Sequence, residues 1–226
     1  MKHVLITGGS DGLGKITAQK LKTAGFNVTI LADNEDKTKA AATEVDCKYV
    51  IADVSNAGAV KQAIETAQKT APIDILINNA GIWIQGELES NDPDRIHKVI
   101  EVNTLGPIYC TQSVIPGMKQ RKAGRIINIS SQGGLYAKAE RGPYTTSKFG
   151  LTGFTKAMQA ELKPFGIAVD GFYPGAMETT IFDKAGNKRD MSKAMDAAIV
   201  ADALVYVCQL PDGIRVNEFG IESLRY

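Results

Sequence analysis

The sequence is poor in the residues that staple, ligate or anchor a chain. Among 226 residues there are three cysteines, Cys47, Cys110 and Cys208, widely separated and odd in number, and two histidines, His3 and His97. Neither a disulfide framework nor a zinc site can be assembled from them, so no metal is expected. Charge of one sign is also missing. The 26 Lys and Arg stand against 25 Asp and Glu, a formal net charge of +1, and no basic block exceeds short clusters such as Lys119 to Lys122. Nucleic acid is therefore not an expected partner. Long apolar runs are absent as well: the opening run stops at Thr7-Gly8, far short of the roughly 20 residues that span a bilayer. With neither membrane segment nor export signal, the expected location is cytoplasmic.

What is present is an alternation of two periods. Hydrophobic residues make up 44% of the chain, enough to fill one core. Short β-rich runs occur at Val4-Leu5-Ile6, Val28 to Leu31, Tyr49-Val50-Ile51, Ile73 to Ile77, Ile126 to Ile129 and Ala168 to Phe172, with a seventh at Ile214 to Ile221. Between them lie helical patterns over Leu13 to Ala24, Ala57 to Lys69, Arg95 to Lys119, Tyr144 to Lys163 and Ser192 to Gln209. This βαβ alternation predicts an α/β fold: a seven-stranded parallel sheet, doubly wound, with helices on both faces. No repeat or linker divides residues 1–226, so a single domain is expected, with a substrate loop over about residues 175–193.

The first strand runs into Thr7-Gly8-Gly9-Ser10-Asp11-Gly12-Leu13-Gly14 and then a helix. Such a turn brings backbone N–H groups to a pyrophosphate at a helix N-terminus, and glycines remove the Cβ atoms in the way. Asp33 follows the second strand, 19 residues after Gly14. There a carboxylate accepts hydrogen bonds from ribose hydroxyls and repels a 2′-phosphate. Asp11 is expected to add negative charge near that spot, so the expected cofactor is NAD rather than NADP. Asp33-Asn34 could also simply cap the next helix.

A second constellation closes the fifth strand as Ser130-Ser131 and, 13 residues after Ser131, opens a helix with Tyr144-Thr145-Thr146-Ser147-Lys148. Positions i and i+4 share a helical face, so Lys148 can set a positive charge near the Tyr144 phenol and favour its ionised form. A tuned phenol exchanges a proton with a carbonyl or alcohol oxygen while hydride moves at a nicotinamide. The plain alternative is a surface Tyr–Lys pair.

Taken in order, these motifs resemble the short-chain dehydrogenase/reductase family in its compact single-domain branch. The match runs through Thr7-Gly-x-x-x-Gly12-x-Gly14, Asp53-Val54, Asn78-Asn79-Ala80-Gly81, Asn103, Ser131, Tyr144-x-x-x-Lys148 and Pro174-Gly175-x-x-x-Thr179. The resemblance implies that Tyr144 is the general acid/base, that Ser131 orients the substrate oxygen, that Lys148 also binds the nicotinamide ribose and that Asn103 supports a proton-relaying water. It implies cofactor contacts from Thr7, Gly8, Ser10, Asp11, Gly12, Leu13 and Gly14, from Asp33, Asp53 and Val54, and from Asn79, Ala80 and Gly81. Tyr144, Lys148, Pro174, Gly175 and Thr179 would hold the nicotinamide end. A homodimer or homotetramer, paired through Arg95 to Lys119 and Tyr144 to Lys163, is implied too. The expected activity is NAD-dependent interconversion of a small secondary alcohol and a ketone or aldehyde. The alternatives are a silent dinucleotide sensor or scaffold and an NADP-preferring carbonyl reductase.

The substrate side is less marked. Trp83, Gln132, Tyr136, Tyr173 and residues 176–193 are expected to face it, with Trp83 either lining the pocket or packing beneath the loop. Lys138, Glu140 and Arg141 allow a polar substrate. Lys184, Lys188, Arg189 and Lys193 outnumber Asp183 and Asp190 in the loop, a faint pointer to an anion. The loop's shortness disfavours a large steroid-like substrate.

Overall fold

In a computed structural model, which describes residues 1–186 and 190–225, seven parallel strands form one sheet in the order β3-β2-β1-β4-β5-β6-β7. The strands are β1 (His3–Thr7), β2 (Asn27–Ala32), β3 (Lys48–Ile51), β4 (Ile75–Asn78), β5 (Gly124–Ile129), β6 (Ile167–Pro174) and β7 (Glu218–Ile221). The helices are α1 (Gly12–Thr23), α2 (Glu35–Val45), α3 (Ala57–Gln68), α4 (Pro93–Ile100), α5 (Gly106–Arg121), α6 (Gly142–Leu162), α7 (Ile181–Lys184) and α8 (Ala197–Gln209). Among the described residues, no helix is long and apolar enough to cross a membrane.

Strands buried on both faces read as continuous apolar runs, and the pleat sorts their side chains alternately. Val4 and Ile6 of β1, Ile75 and Ile77 of β4 and Ile127 and Ile129 of β5 join α1, α2 and α8 in one core layer. Leu5, Leu76 and Ile126 point the other way, onto α3, α5 and the end of α6. Each such fully buried Leu or Ile contributes about 1.5–3 kcal/mol relative to exposure. The strand order reverses between β1 and β4, whose carboxyl ends part to leave a crevice, the usual ligand position of an open α/β sheet.

Three elements differ from the sequence expectation, each for a physical reason. The helix expected over Arg95 to Lys119 is two helices, α4 and α5, joined by one wide turn over Glu101–Leu105 in which the Gly106 N–H reaches the Glu101 carbonyl. Pro107, which has no N–H, could not give the Asn103 carbonyl its ordinary helical donor. The seventh strand is short. Arg125 donates to the Ile214 carbonyl at 2.5 Å and Asp170 accepts the Val216 N–H at 2.8 Å, so side chains take backbone groups that a longer strand would have paired. The last helix starts at Ala197, where Asp196 caps it, because the preceding segment forms a bridge between Met177 and Met195.

Candidate active site

The crevice begins at the end of β1. Thr7 Oγ1 accepts the N–H groups of Asn79 and Ala80, each at 3.0 Å, while Asn79 Nδ2 donates to the carbonyls of Thr7 at 2.9 Å and Gly8 at 3.2 Å. These bonds tie the β1 turn to the β4 turn across the point where the strand order reverses. Gly8 has a φ of +63°, and a Cβ on Gly14 would lie 2.2 Å from the Gly8 carbonyl oxygen. Only glycine fits either place. Thr7 and Gly14 thus shape the turn from behind the wall; Gly8, Ser10, Asp11, Gly12 and Leu13 line the cleft itself.

Asp11 departs from its expected place beside the adenosine. Its Oδ1 caps α1 by accepting the Gly12 N–H at 2.7 Å, and its Oδ2 takes Lys184 Nζ at 2.7 Å and the Thr180 hydroxyl at 3.0 Å. Lys184 holds the Asp11 carboxyl down to about 2, against a smaller opposing effect of burial. Its charge is therefore balanced by the loop. Asp33, by contrast, is exposed at the end of β2 and lines the cleft, while its neighbour Asn34 performs the capping by accepting the Lys37 N–H at 2.9 Å. Asp53 is held by Ser55 and by Lys98 Nζ at 2.8 Å, and Val54 adds an apolar wall. Lys37 and Lys98 also reach this wall. No local pattern marks Lys98, whose position depends on how α4 lies against the end of β3.

The other end of the cleft gathers Ser131, Tyr144 and Lys148. A Cβ on Gly133 would lie 3.0 Å from Tyr144 Cε1 and 3.5 Å from Ser131 Oγ, which measures how closely the turn after β5 abuts the phenol. Ser131 Oγ accepts the Gly133 N–H at 3.0 Å, and Lys148 Nζ donates to the Ile129 carbonyl at 2.9 Å, 6.0 Å from the centre of the Tyr144 ring. The electrostatics correct the simple expectation that Lys148 holds the phenol acidic. Burial pushes Tyr144 above its ordinary value, opposed by hydrogen bonding with Ser131 and by the Arg141 charge. Burial also pulls Lys148 down to about 8. At Tyr144 desolvation outweighs the neighbouring Arg141 charge.

Asn103 is fully buried, not solvent-facing. Its side chain accepts the Ile82 N–H at 2.8 Å and donates to the Ile82 carbonyl at 2.9 Å and the Ser147 hydroxyl at 3.0 Å. It stands behind Gly81, where a Cβ would lie 3.2 Å from Asn103 Oδ1 and 3.6 Å from Lys148 Nζ. Asn79, Ala80, Gly81, Pro174, Gly175 and Thr179 lie on the cleft wall. Ser130 does more than finish its strand: it is buried, and its hydroxyl donates to the Lys148 carbonyl at 3.2 Å.

Trp83 does both things open to it. It lines the cleft and packs under the loop, with ring centres 4.2 Å from Tyr144 and 5.0 Å from Phe182. Gln132 and Tyr136 line the cleft, and Gln132 donates to Glu222 near the end of the chain. Tyr173 does not face the substrate side. It is buried in β6 off the cleft wall, and its hydroxyl donates to Glu218 of β7 at 3.2 Å. Lys188 and Arg189, counted among the loop's cations, lie outside the described residues.

The cleft holds about 620 Å³, within the range of cofactor pockets. A Cβ-free turn at a helix N-terminus, a carboxylate at the end of β2, an apolar slot at Ala52 and Val54 and a buried amine at Lys148 are a donor set that could hold a dinucleotide. Comparison with known proteins agrees with this architecture. The short chain dehydrogenase family model matches residues 2–190. A 3-dehydrosphinganine reductase of Danio rerio is 38% identical over 192 residues, 80% of this chain and 58% of that protein. A 3-ketodihydrosphingosine reductase of Bos taurus is 33% identical over 211 residues, 88% of this chain and 62% of that one. The chain thus spans about three fifths of the length of these relatives. An uncharacterized oxidoreductase of Staphylococcus aureus is 30% identical, over 99% of this chain and 97% of its own. Among solved structures, an alcohol dehydrogenase from the archaeon Thermococcus sibiricus complexed with 5-hydroxy-NADP superposes with a TM-score of 0.91 at 24% identity, covering 100% of this chain and 98% of that one. A gluconate 5-dehydrogenase from Burkholderia cenocepacia in complex with NADP and tartrate gives 0.87 at 26%, covering 97% and 93%. On the extent of the family match and of these identities, the chain belongs to the short-chain dehydrogenase family.

Proposed function

We propose that the chain is an NAD-dependent oxidoreductase that interconverts a secondary alcohol and a ketone or aldehyde, with Tyr144 as general acid/base. The observation that carries this reading is the convergence of Ser131, Tyr144 and Lys148 on one wall of a cleft whose far end is the glycine turn. The ketone reductases among its relatives support the same reaction class.

A bound nicotinamide would supply or take up the hydride. Ser131 Oγ donates to the substrate oxygen and fixes its direction, and Tyr144 Oη gives that oxygen a proton as the ketone is reduced. A phenol raised by burial is protonated at neutral pH, the form that reduction needs. Reduction therefore holds through neutral pH, and alcohol oxidation climbs as the solution turns alkaline. Lys148 presents its amine beside Gly81, and Asn103 acts as a positioning residue by fixing Ile82 next to it. Gly8, Ser10, Gly12 and Leu13 would cradle the pyrophosphate, Asp33 the adenosine ribose, and Asp53 and Val54 the adenine.

Asp33 supports NAD over NADP, since its exposed carboxylate repels a 2′-phosphate. Lys37 and Lys98 on the same wall favour the second reading, an NADP-preferring reductase. The ratio of kcat/KM for NADH over NADPH, measured with a panel of ketones and aldehydes, decides between them; a value above one is expected. Tyr144→Phe should lower turnover by roughly 10²–10⁴-fold with dinucleotide affinity retained. Wild-type turnover in that variant would refute the mechanism. A homodimer or homotetramer is part of the proposal, and a monomeric mass at micromolar concentration would contradict it.

A further inference from the structure

We infer that Thr152, together with Ser130, is a positioning residue for Ser131, pinning the turn that carries it to the helix that carries Tyr144; this rests on the roles proposed for Ser131 and Tyr144. Tyr144, Lys148 and Thr152 are spaced by four and so share one face of α6. The turn after β5 meets this helix twice. Before Ser131, the Ser130 hydroxyl donates to the Lys148 carbonyl at 3.2 Å and stands 3.4 Å from Thr152 Oγ1. After it, the Gly134 carbonyl lies 3.2 Å from Thr152 Oγ1, which is also 3.0 Å from the Lys148 carbonyl. Hydrogen bonding with Thr152 acts on the Tyr173 phenol too, so the threonine ties β6 to the same point. Ser130, Gly134 and Thr152 are all buried, so these polar atoms depend on one another in place of water.

Ser131 is bracketed by these contacts. Its carbonyl accepts the Gly134 N–H at 2.8 Å, its Oγ accepts the Gly133 N–H at 3.0 Å, and the Ser130 N–H is held by the Phe172 carbonyl of β6 at 2.8 Å. Residues 131–133 therefore form a short loop fastened at both ends to one point of α6, and through Gly133 that loop abuts the Tyr144 ring. The fastening has no slack. A Cβ on Gly134 would lie 2.3 Å from Ser130 Oγ and 2.9 Å from both the Lys148 carbonyl oxygen and Thr152 Oγ1. Thr152 is not on the cleft wall, so it acts through Ser131. Hydrogen bonding with Ser131 opposes the effect of burial on the Tyr144 phenol, so the separation set by Thr152 is felt at the proton donor. Small displacements of a group that orients the reacting oxygen are costly: about 1 Å can lower a rate by as much as about 10²-fold.

The test uses the full chain and two substitutions: Thr152→Val removes the hydroxyl at nearly constant volume, and Thr152→Ser keeps it. With NADH and a ketone that the wild type reduces, Thr152→Val should lower kcat about tenfold, with ketone KM and NADH Kd changed by less than about twofold. Thr152→Ser should regain kcat to within about twofold of wild type. A second readout needs no turnover: the ζ-carbon NMR resonance of Tyr144 in isotope-labelled protein, identified as the signal missing from Tyr144→Phe. It should shift in Thr152→Val and return in Thr152→Ser, because the hydrogen bond of the phenol with Ser131 changes with the position of the turn. Wild-type kcat in folded Thr152→Val, equal losses in both variants, or an unmoved resonance would overturn the inference. If Thr152→Val does not fold, Ser130→Ala releases the same turn from its other side and should show the same loss and the same shift; wild-type values there overturn it equally. Failure of the oxidoreductase reading looks different: the wild type turns over no alcohol or carbonyl with either dinucleotide, while the resonance still reports whether Thr152 sets the contact between Ser131 and Tyr144.

Discussion

At the glycine-turn end of the cleft the wall is largely backbone, held by buried polar groups from neighbouring strands. Thr7 and Asn79 lace β1 to β4 with four hydrogen bonds, and Gly14 presses against the Gly8 carbonyl. At the substrate end the wall is made of side chains from segments far apart in the chain: Trp83, Lys138 and Arg141, Met177 and Phe182. Backbone walls built at strand ends have little freedom, because a shift there breaks sheet registry and buried hydrogen bonds together. Side-chain walls on loops can change without cost to the sheet. The first end should therefore fail as a unit when altered, and the second should change affinity by degrees.

Lys148 lies where the two ends meet and gives the largest expected effect. Lys148→Met should lower turnover by about 10²-fold or more without lowering Tm. The sign follows from burial. The amine is drawn from 10.5 in the unfolded chain to about 8 in the fold, so its ammonium destabilises the native state by about 3 kcal/mol below pH 8. That penalty fades as pH rises through the window from 8 to 10.5. The lost bond to the Ile129 carbonyl offsets it by only about 1 kcal/mol. Thermal melts at neutral and alkaline pH check this: wild type should gain stability across that window and the variant should lack the slope. A marked drop in Tm at neutral pH would show the amine to be part of the scaffold.

Gly14→Ala probes the backbone end. The new Cβ would meet a carbonyl oxygen, which has no rotamer to yield, so a cost of about 1–3 kcal/mol and weaker dinucleotide binding are expected together. Calorimetric melts and NADH titration on the same samples measure both. A variant that lost binding with an unchanged Tm would break the idea that this end fails as a unit. Asp33→Arg should act more narrowly. Asp33 is exposed and supports no buried bond, so the NADH to NADPH ratio of kcat/KM should fall by about tenfold with Tm unchanged.

The same contrast explains what could be read before the structure. Strands β1, β2, β4, β5 and β6 announce themselves because burial on both faces makes them unbroken apolar runs, and the Ser131, Tyr144 and Lys148 spacing follows from a strand end and one helical turn. The break at Glu101–Leu105 was signalled only by Pro107 lying four residues after Asn103, a cue that apolar periodicity over Arg95 to Lys119 conceals. Tyr173 lies off the cleft because its hydroxyl is taken by Glu218 of β7, a partner that sequence position near a motif does not supply. The contact of Trp83 with Phe182 joins residues separated by most of two βαβ units, and no local pattern encodes it. What stayed hidden is long-range side-chain assembly, and it is concentrated at the substrate end.

The smallest expected effect tests the strap between the two ends. Lys184 reaches from α7 to Asp11 in the glycine turn, but both side chains are largely open to solvent, 57% and 42% exposed. Solvent screening limits such a pair to about 0–1 kcal/mol, and salt weakens it further. Lys184→Gln should therefore change the substrate KM by no more than about threefold, and the difference should vanish in high salt. Asp11 titrates in the fold near 2 instead of 3.8, so the stability from the pair is present above pH 3.8 and is lost as pH falls toward 2. Acid-induced unfolding should accordingly begin at slightly higher pH in Lys184→Gln than in wild type. A tenfold rise in KM at high salt would mean that closure of α7 over the turn, and not the pocket's own side chains, governs substrate capture, and the division between a rigid end and an adjustable end would no longer hold.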